Sequence, residues 1–493
     1  MTSRRGLLIG AVLLGLAFAS AVGAAGVVPP EAAQMRLAQT PPPAQAPPPE
    51  QKPPPAQTPP PSQTPAPGQT PPAQTPPPGQ TSGKPPEPTG LQPLDLSGGS
   101  DQVASGTAFN PAMSVVPDML YYADSRHGDS LGLIGRADGF NAGHALEAGD
   151  AHGGNLVPGF NLRELEVALS GAVDPYFDAM AIIAISRDGV GLEEAFVRTR
   201  RLPAGLQLKA GKFLSDVGYI NRQHPHQWDF VNRNLAHELI LGGEGLNEVG
   251  VQATWLPALP VYLLLGAEAL QGENESVSNY LGGDEAHPYL TRAAGPRLFT
   301  GFAKVSPDLG FNHALQIGTS VLRSRRHQED LGFEFVEGGT WVIGFDAVYK
   351  FDSPKAFGEG DLTVHGEYLR RMRNLAVVDL DQVEGGIADM PRHFTQDGFY
   401  VQGTYGLAPR WTASLRYDLA GLANHVDEGG VVVESFDSSR RFSASVAFNP
   451  THFSRLRFQV DRASIAARGT RQAFSQAYVQ LQLSLGVHGA HRF

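Results

Sequence analysis

The chain has 493 residues, among them 57 Gly, 40 Pro and no Cys, with a formal net charge of -11. The acidic balance excludes a nucleic-acid binder, which needs a basic face to neutralise phosphates. Without cysteine there is neither a disulfide framework nor a thiolate metal site.

In chain order, residues 1–24 are expected to be a secretory signal peptide. Arg4 and Arg5 make a basic start, Gly6 to Phe18 an apolar run, and small residues precede cleavage points after Ala21 or Ala24. The alternative is an uncleaved anchor, because Gly6 to Val28 is long enough to cross a bilayer. Residues 25–108 are expected to be a disordered, proline-rich periplasmic linker. From Gln39 to about Pro88 it repeats variations of "QTPPPAQ". Proline fixes φ and removes the backbone donor, so such a tract joins no ladder and buries no core. At about 3.1 Å per residue it forms an extended tether reaching roughly 150 Å, either a plain spacer or a strap to peptidoglycan.

Residues 109–493 change pattern to short runs of alternating apolar and polar residues. At the C-terminus Val479, Leu481, Leu483 and Leu485 alternate with Gln480, Gln482, Ser484 and Gly486; Trp341, Ile343 and Phe345 do so with Gly344 and Asp346. A period of two signals strands. About 16 such runs are present, within a range of roughly 14 to 18. Their centres are Val116, Val167, Ile182, Val197, Leu208, Val251, Leu264, Phe302, Ile317, Phe345, Val364, Val401, Leu415, Val446, Phe458 and Leu483. Tight links such as "VDPY", "LPAG" and "LAPR" alternate with long segments: Ser125 to Phe160, Leu214 to Leu246, Gln271 to Pro296, Arg373 to Gln396 and Ala420 to Ser439. Long loops confined to one end, an apolar face on nearly every run and a mixed polar face opposite it predict an all-β, transmembrane antiparallel barrel in a bacterial outer membrane. A soluble sandwich or propeller is the competing architecture. The terminal Phe493 resembles the signal read by the barrel assembly machinery.

The block Glu193 to Trp255, with "EAFV", "LQLKAGKF", "DFVNR" and "GLNEVGVQA", resembles the phosphate-selective porin O and P family. The upstream "ELEVALSGAVDPYFDAMAIIAIS" extends the likeness back to about Arg163. The chain is also similar to proteins labelled zinc-regulated TonB-dependent outer-membrane receptors. The first resemblance implies a porin barrel, but the inward faces lack that family's dense arginine ladder, so phosphate specificity is not implied. The second implies metal uptake, yet the proline tract stands where a plug domain belongs.

"NRQHPHQWDF", Asn221 to Phe230, falls in the third outer loop, which in general porins folds into the barrel. The expected pore-constriction residues are therefore Asp216, Arg222, His224, His226, Trp228, Asp229, Arg233, His237 and Glu238. The expected lumen-lining charges are Glu166, Arg198, Lys209, Asp346, Glu367, Arg416, Asp418, Arg455 and Arg457, opposed in sign as in an eyelet with a transverse field. They serve that purpose or pair with one another as a scaffold. His224 and His226 are the metal candidates, with zinc the ion considered, but His-X-His needs a third and fourth ligand in reach. His127, His144, His152 and His287 are further outer-loop histidines, for metal capture or simply solvated. Ser215, His224 and Asp229 are the residues available for a hydrolytic triad; no enzyme is expected.

The expected function is passive diffusion of small hydrophilic solutes or ions through a porin-like channel without a resident cofactor. The alternatives are a receptor-like barrel for zinc or another metal, and a structural barrel tethered to the cell wall. Expected partners are outer-membrane lipid and lipopolysaccharide, the assembly machinery, the solute, peptidoglycan through the tether, and sister chains in a homotrimer.

Overall fold

The structure is a computed structural model that describes residues 111–140, 156–187, 189–282, 290–330, 335–378 and 391–486. The expected signal peptide and linker, the closing Phe493, and His144, His152 and His287 lie outside these residues.

The alternating runs form one antiparallel sheet of eighteen strands. These are β1 (Ala112–Asp124), β2 (Gly159–Ala172), β3 (Phe177–Ser186), β4 (Gly189–Thr199), β5 (Leu206–Leu214), β6 (Asn247–Trp255), β7 (Tyr262–Leu270), β8 (Leu298–Ser306) and β9 (His313–Asp330). They continue with β10 (Phe335–Phe351), β11 (Leu362–Val377), β12 (Arg392–Ala408), β13 (Trp411–Glu428), β14 (Val431–Ser435), β15 (Ser439–Thr451), β16 (Ser454–Ala467), β17 (Thr470–Leu483) and β18 (Leu485–Gly486). Two of them are appendages. β14 folds back on the end of β13, which pairs on to β15 beyond it, and β18 prolongs the pairing of β17 with β1. The remaining sixteen close into a barrel, with β1 paired to β2 on one side and β17 on the other. Every expected strand centre from Val116 to Leu483 falls within one of the sixteen.

Burial is inverted relative to a soluble protein. On β9, Ile317 and Val321 are 49% and 41% exposed, whereas Gln316 and Ser320 are 1% and 3% exposed. On β16, Phe458 and Val460 face out while Arg457, Gln459 and Asp461 are buried. Water outside would penalise this arrangement; lipid favours it, because inter-strand pairing satisfies the backbone within the sheet and apolar side chains meet hydrocarbon. Rings gather at the rims: Trp411 stacks on Phe448 at 4.7 Å at one end, and Tyr121 meets Phe160 edge-on at 5.1 Å at the other.

One end carries only short links. In the turn before β5, Gly205 has φ +77°, and a Cβ there would lie 2.0 Å from the Leu256 carbonyl oxygen, so the turn needs glycine. The other end carries the long loops 125–158, 215–246 and 271–297. Two expected loops are shorter than the sequence pattern suggests, because β11 and β12 run on to Val377 and from Arg392, and β13 runs to Glu428. Ladder pairing past the bilayer satisfies the backbone as well as water does, so polar residues there remain strand.

Among the described residues, three outer-loop helices turn inwards: α1 (Ser130–Gly135), α2 (Leu235–Ile240) and α3 (Glu275–Ser278). Leu133, Ile134, Leu235, Leu239, Ile240 and Val277 join inward-facing Phe196, Phe213, Leu270 and Leu369 of the wall in one apolar cluster. The lumen is thus polar towards the short-turn end and packed with apolar side chains towards the loop end.

Candidate functional site

The connection between β5 and β6, residues 215–246, is the third outer loop and lies inside the barrel. It begins with Ser215, whose hydroxyl donates to Glu268 of β7 at 2.5 Å, and is then held around the wall. Gly218 N–H donates to Ser320 of β9, and Tyr219 and Ile220 N–H each donate to the Glu367 carboxylate of β11 at 3.0 Å. Val231 N–H donates to Gln459 of β16 at 2.7 Å; Arg416 of β13 donates to the Asn232 carbonyl and side chain at 2.9 and 2.7 Å. Arg441 of β15 donates to the Arg233 carbonyl, and Arg457 to that of Trp228. A loop cannot form a ladder, so its backbone groups are satisfied by wall side chains from nearly the whole circumference.

Local sequence shapes the loop. Asn234 caps α2, its side-chain oxygen accepting from His237 N–H at 2.9 Å. The Gln227 side chain accepts from His224 N–H at 3.1 Å, closing the short turn that Pro225 begins. Trp228 is 2% exposed, packs with Ile220 and Tyr400, and has the Arg233 guanidinium 4.9 Å from its ring centre.

The loop residues singled out from the sequence reach the wall in three groups. Asp216 lies 3.7 Å from both Lys209 and Arg222. Burial alone would raise its pKa, but Lys209, Lys304 and Arg222 hold it down at about 2. Asp229 accepts from Gln402 at 3.0 Å and faces His365 at 3.8 Å; His237 lies 3.2 Å from Glu367, and Glu238 lies 3.8 Å from Arg441, which is also held by Asp418 at 2.8 Å. His224 and His226 form the third group, against the β2–β4 wall.

His224 Nδ1 lies 3.1 Å from Glu193 and 3.4 Å from Glu166, and its Nε2 lies 3.0 Å from Glu194. His226 Nδ1 is 3.0 Å from the same Glu166 oxygen. Burial by itself lowers the His224 pKa, but the three carboxylates hold it well above the ordinary imidazole value. Two irregular registers bring these groups together. The pairing of β3 with β4 shifts between Ile182 and Ile183, so Glu193 is an extra residue and both Glu193 and Glu194 are buried. The pairing of β1 with β2 shifts at Asp118/Met119, so Arg163 and Glu164 both point inwards, and Arg163 forms an ion pair with Asp118. A bulge re-aims a side chain that strict alternation would send to lipid. That is why alternation identified Glu166 and not Glu193.

Of the expected lumen charges, Arg198 pairs on the wall with Asp178 at 3.8 Å. Glu166, Lys209, Glu367, Arg416, Asp418, Arg455 and Arg457 all stand in the loop's surroundings. Asp346 and Lys304 face the lumen from β10 and β8, buried, and neither Lys304 Nζ nor either Asp346 oxygen makes a hydrogen bond. Glu268, Tyr400, Arg441 and Lys304 were not singled out from the sequence. Lys304 alternates with Ala303 and Val305 on its run, so the same period-two test picks it out. The three residues available for a triad have separate partners: Ser215 with Glu268, His224 with Glu193 and Glu194, Asp229 with Gln402.

No family model matches the chain. An uncharacterized protein of Aquifex aeolicus (strain VF5) is 34% identical over 398 residues, spanning 79% of this chain and 81% of the relative. The chain belongs to the same family as that protein. Similar solved structures include the outer-membrane channel DcaP of Acinetobacter baumannii, with a TM-score of 0.47, 11% identity and 78% of this chain and 100% of that one covered. The anion-selective porin from Comamonas acidovorans has a TM-score of 0.44 and 10% identity over 76% of this chain and 99% of that one. Outer-membrane expressed OmpT of Vibrio cholerae has a TM-score of 0.44 and 9% identity over 76% and 98%.

Proposed function

We propose that this relative of the Aquifex aeolicus protein is an outer-membrane channel through which small hydrophilic solutes or ions diffuse passively, with the third outer loop as the constriction. The observation that carries this reading is the charged side of the lumen between the loop and the β5–β11 wall. Cationic Lys209, Arg222 and Lys304 stand there beside anionic Asp216, Asp346 and Glu367. Lys304 and Asp346 are buried and balance each other's charge together with Asp216, Arg222 and Glu367, so fixed charges of both signs face the passage. Opposed charges across a narrow passage orient a polar solute and exclude apolar ones. The apolar cluster of α1, α2 and α3 lies over the loop end, so passage is restricted there, and conductance should be small and stepwise rather than that of a wide pore.

Residues 1–24 as a signal peptide and 25–108 as a periplasmic tether complete the reading, with outer-membrane lipid as solvent, the assembly machinery as the route of insertion and a homotrimer as the assembly. The test is a planar bilayer containing the purified full chain. Stepwise currents are expected, with a reversal potential that changes when Lys304→Glu alters the charge of the route. A barrel that is folded, as judged by its heat-dependent migration on a gel, yet never conducts would overturn the channel.

A further inference from the structure

The cluster around His224 holds the third outer loop to the β2–β4 wall, but holding the loop does not by itself call for so many buried carboxylates. Five carboxylates, Asp118, Glu164, Glu166, Glu193 and Glu194, are buried in one sector of the wall. The cations near them are Arg163, already paired with Asp118, Arg455 and Arg457, which also bear on Asp118, and the imidazoles of His224 and His226. Glu193 is inward only because of a bulge, and that bulge puts two successive glutamates on the two ring nitrogens of one histidine.

We propose that Glu166, Glu193 and His224 form a binding site for a divalent transition-metal ion, which ties the third outer loop to the β2–β4 wall. One oxygen of each carboxylate and a ring nitrogen of His224 lie within 4.8 Å of one another. Nδ1 lies 3.1 and 3.4 Å from the two carboxylates, close to the edge of about 3.4 Å that a tetrahedron with metal–ligand bonds of about 2.0–2.1 Å requires. The three donors come from β2, β4 and the loop, so small shifts of well-anchored side chains suffice for an ion to enter. His226 shares the Glu166 oxygen at 3.0 Å and orients that carboxylate; Glu194 on Nε2 fixes the ring and makes Nδ1 the better donor. One imidazole with carboxylates suits zinc, cobalt or nickel better than calcium, which takes six to eight oxygens. Binding replaces the Nδ1 proton by the ion and adds positive charge where buried carboxylates are in excess.

The site is independent of whether the barrel conducts. The test uses the full chain, folded in detergent and stripped with EDTA, titrated with zinc by calorimetry and with cobalt by visible absorption. One ion per chain is expected, with cobalt bands of low coordination number. Glu193→Gln and His224→Ala should each weaken binding by at least about tenfold, while His127→Ala on an outer loop leaves it unchanged. Both variants must keep the heat-dependent gel migration of the folded barrel; Glu193→Gln, isosteric and able to accept from His224, covers the case in which His224→Ala does not fold. Zinc binding that neither folded variant alters, or no binding at all, overturns the site. A silent bilayer with one bound zinc overturns the channel and supports the site; a conducting barrel that binds no zinc does the reverse.

Discussion

Glu367 is the residue on which the inward loop depends most. It accepts from Tyr219 and Ile220 N–H and from Tyr400 at 2.7 Å, and it faces His237. Glu367→Ala would leave two backbone donors and an imidazole without partners, a loss of about 3–5 kcal/mol for a broken buried pair. The expected outcome is a lower guanidinium midpoint for the folded barrel, with a larger and noisier conductance as the loop loosens. Asp216 makes the same hold sensitive to pH. Its pKa is depressed to about 2, so its contribution is complete above its ordinary value of 3.8 and is lost as the pH falls through about 2. The difference in guanidinium midpoint between the wild-type barrel and Asp216→Asn should hold from neutral pH to about pH 4 and shrink below it; a difference that does not change with pH in that range would remove Asp216 from the hold.

For the elements, the contrast lies between strands, whose backbone is satisfied by neighbours, and the loop, whose backbone is satisfied by wall side chains. Replacing residues 219–243 by a short Gly-Ser turn should therefore leave the sheet intact and raise conductance several-fold, and unchanged current would remove the loop from its role as constriction. Trp228→Ala is the local form of the same test. Removing a fully buried Trp costs about 3–5 kcal/mol, and the guanidinium midpoint should fall accordingly. Period-two alternation was enough to find the strands. The bulges at Arg163 and Glu193 were not legible, because an inserted residue changes which face a side chain takes without changing the residue types around it.

At the scale of the whole molecule, the barrel presents an apolar outside to lipid and gathers its long loops at one end, the other end carrying only short links. The chain has no cysteine, so single-cysteine variants report orientation cleanly. In intact cells a membrane-impermeant maleimide should label Asp437→Cys, beyond the β13–β14 hairpin, and should reach Tyr176→Cys, in a short link, only after the outer membrane is permeabilised. The opposite pattern would invert the barrel.

The strand number, the outward faces and the place of "NRQHPHQWDF" in the third outer loop were all determined by the sequence alone. Alternation is a local property, and lipid on one side with water on the other selects it strand by strand. Only the tertiary structure decided what the loop's residues meet. His224 finds Glu166 and Glu193 from strands some thirty to sixty positions away, and Trp228 meets Arg457 from across the chain. Closing sixteen strands into a ring sets these distances, and two register shifts determine which carboxylates face in, so no window of the sequence contains them.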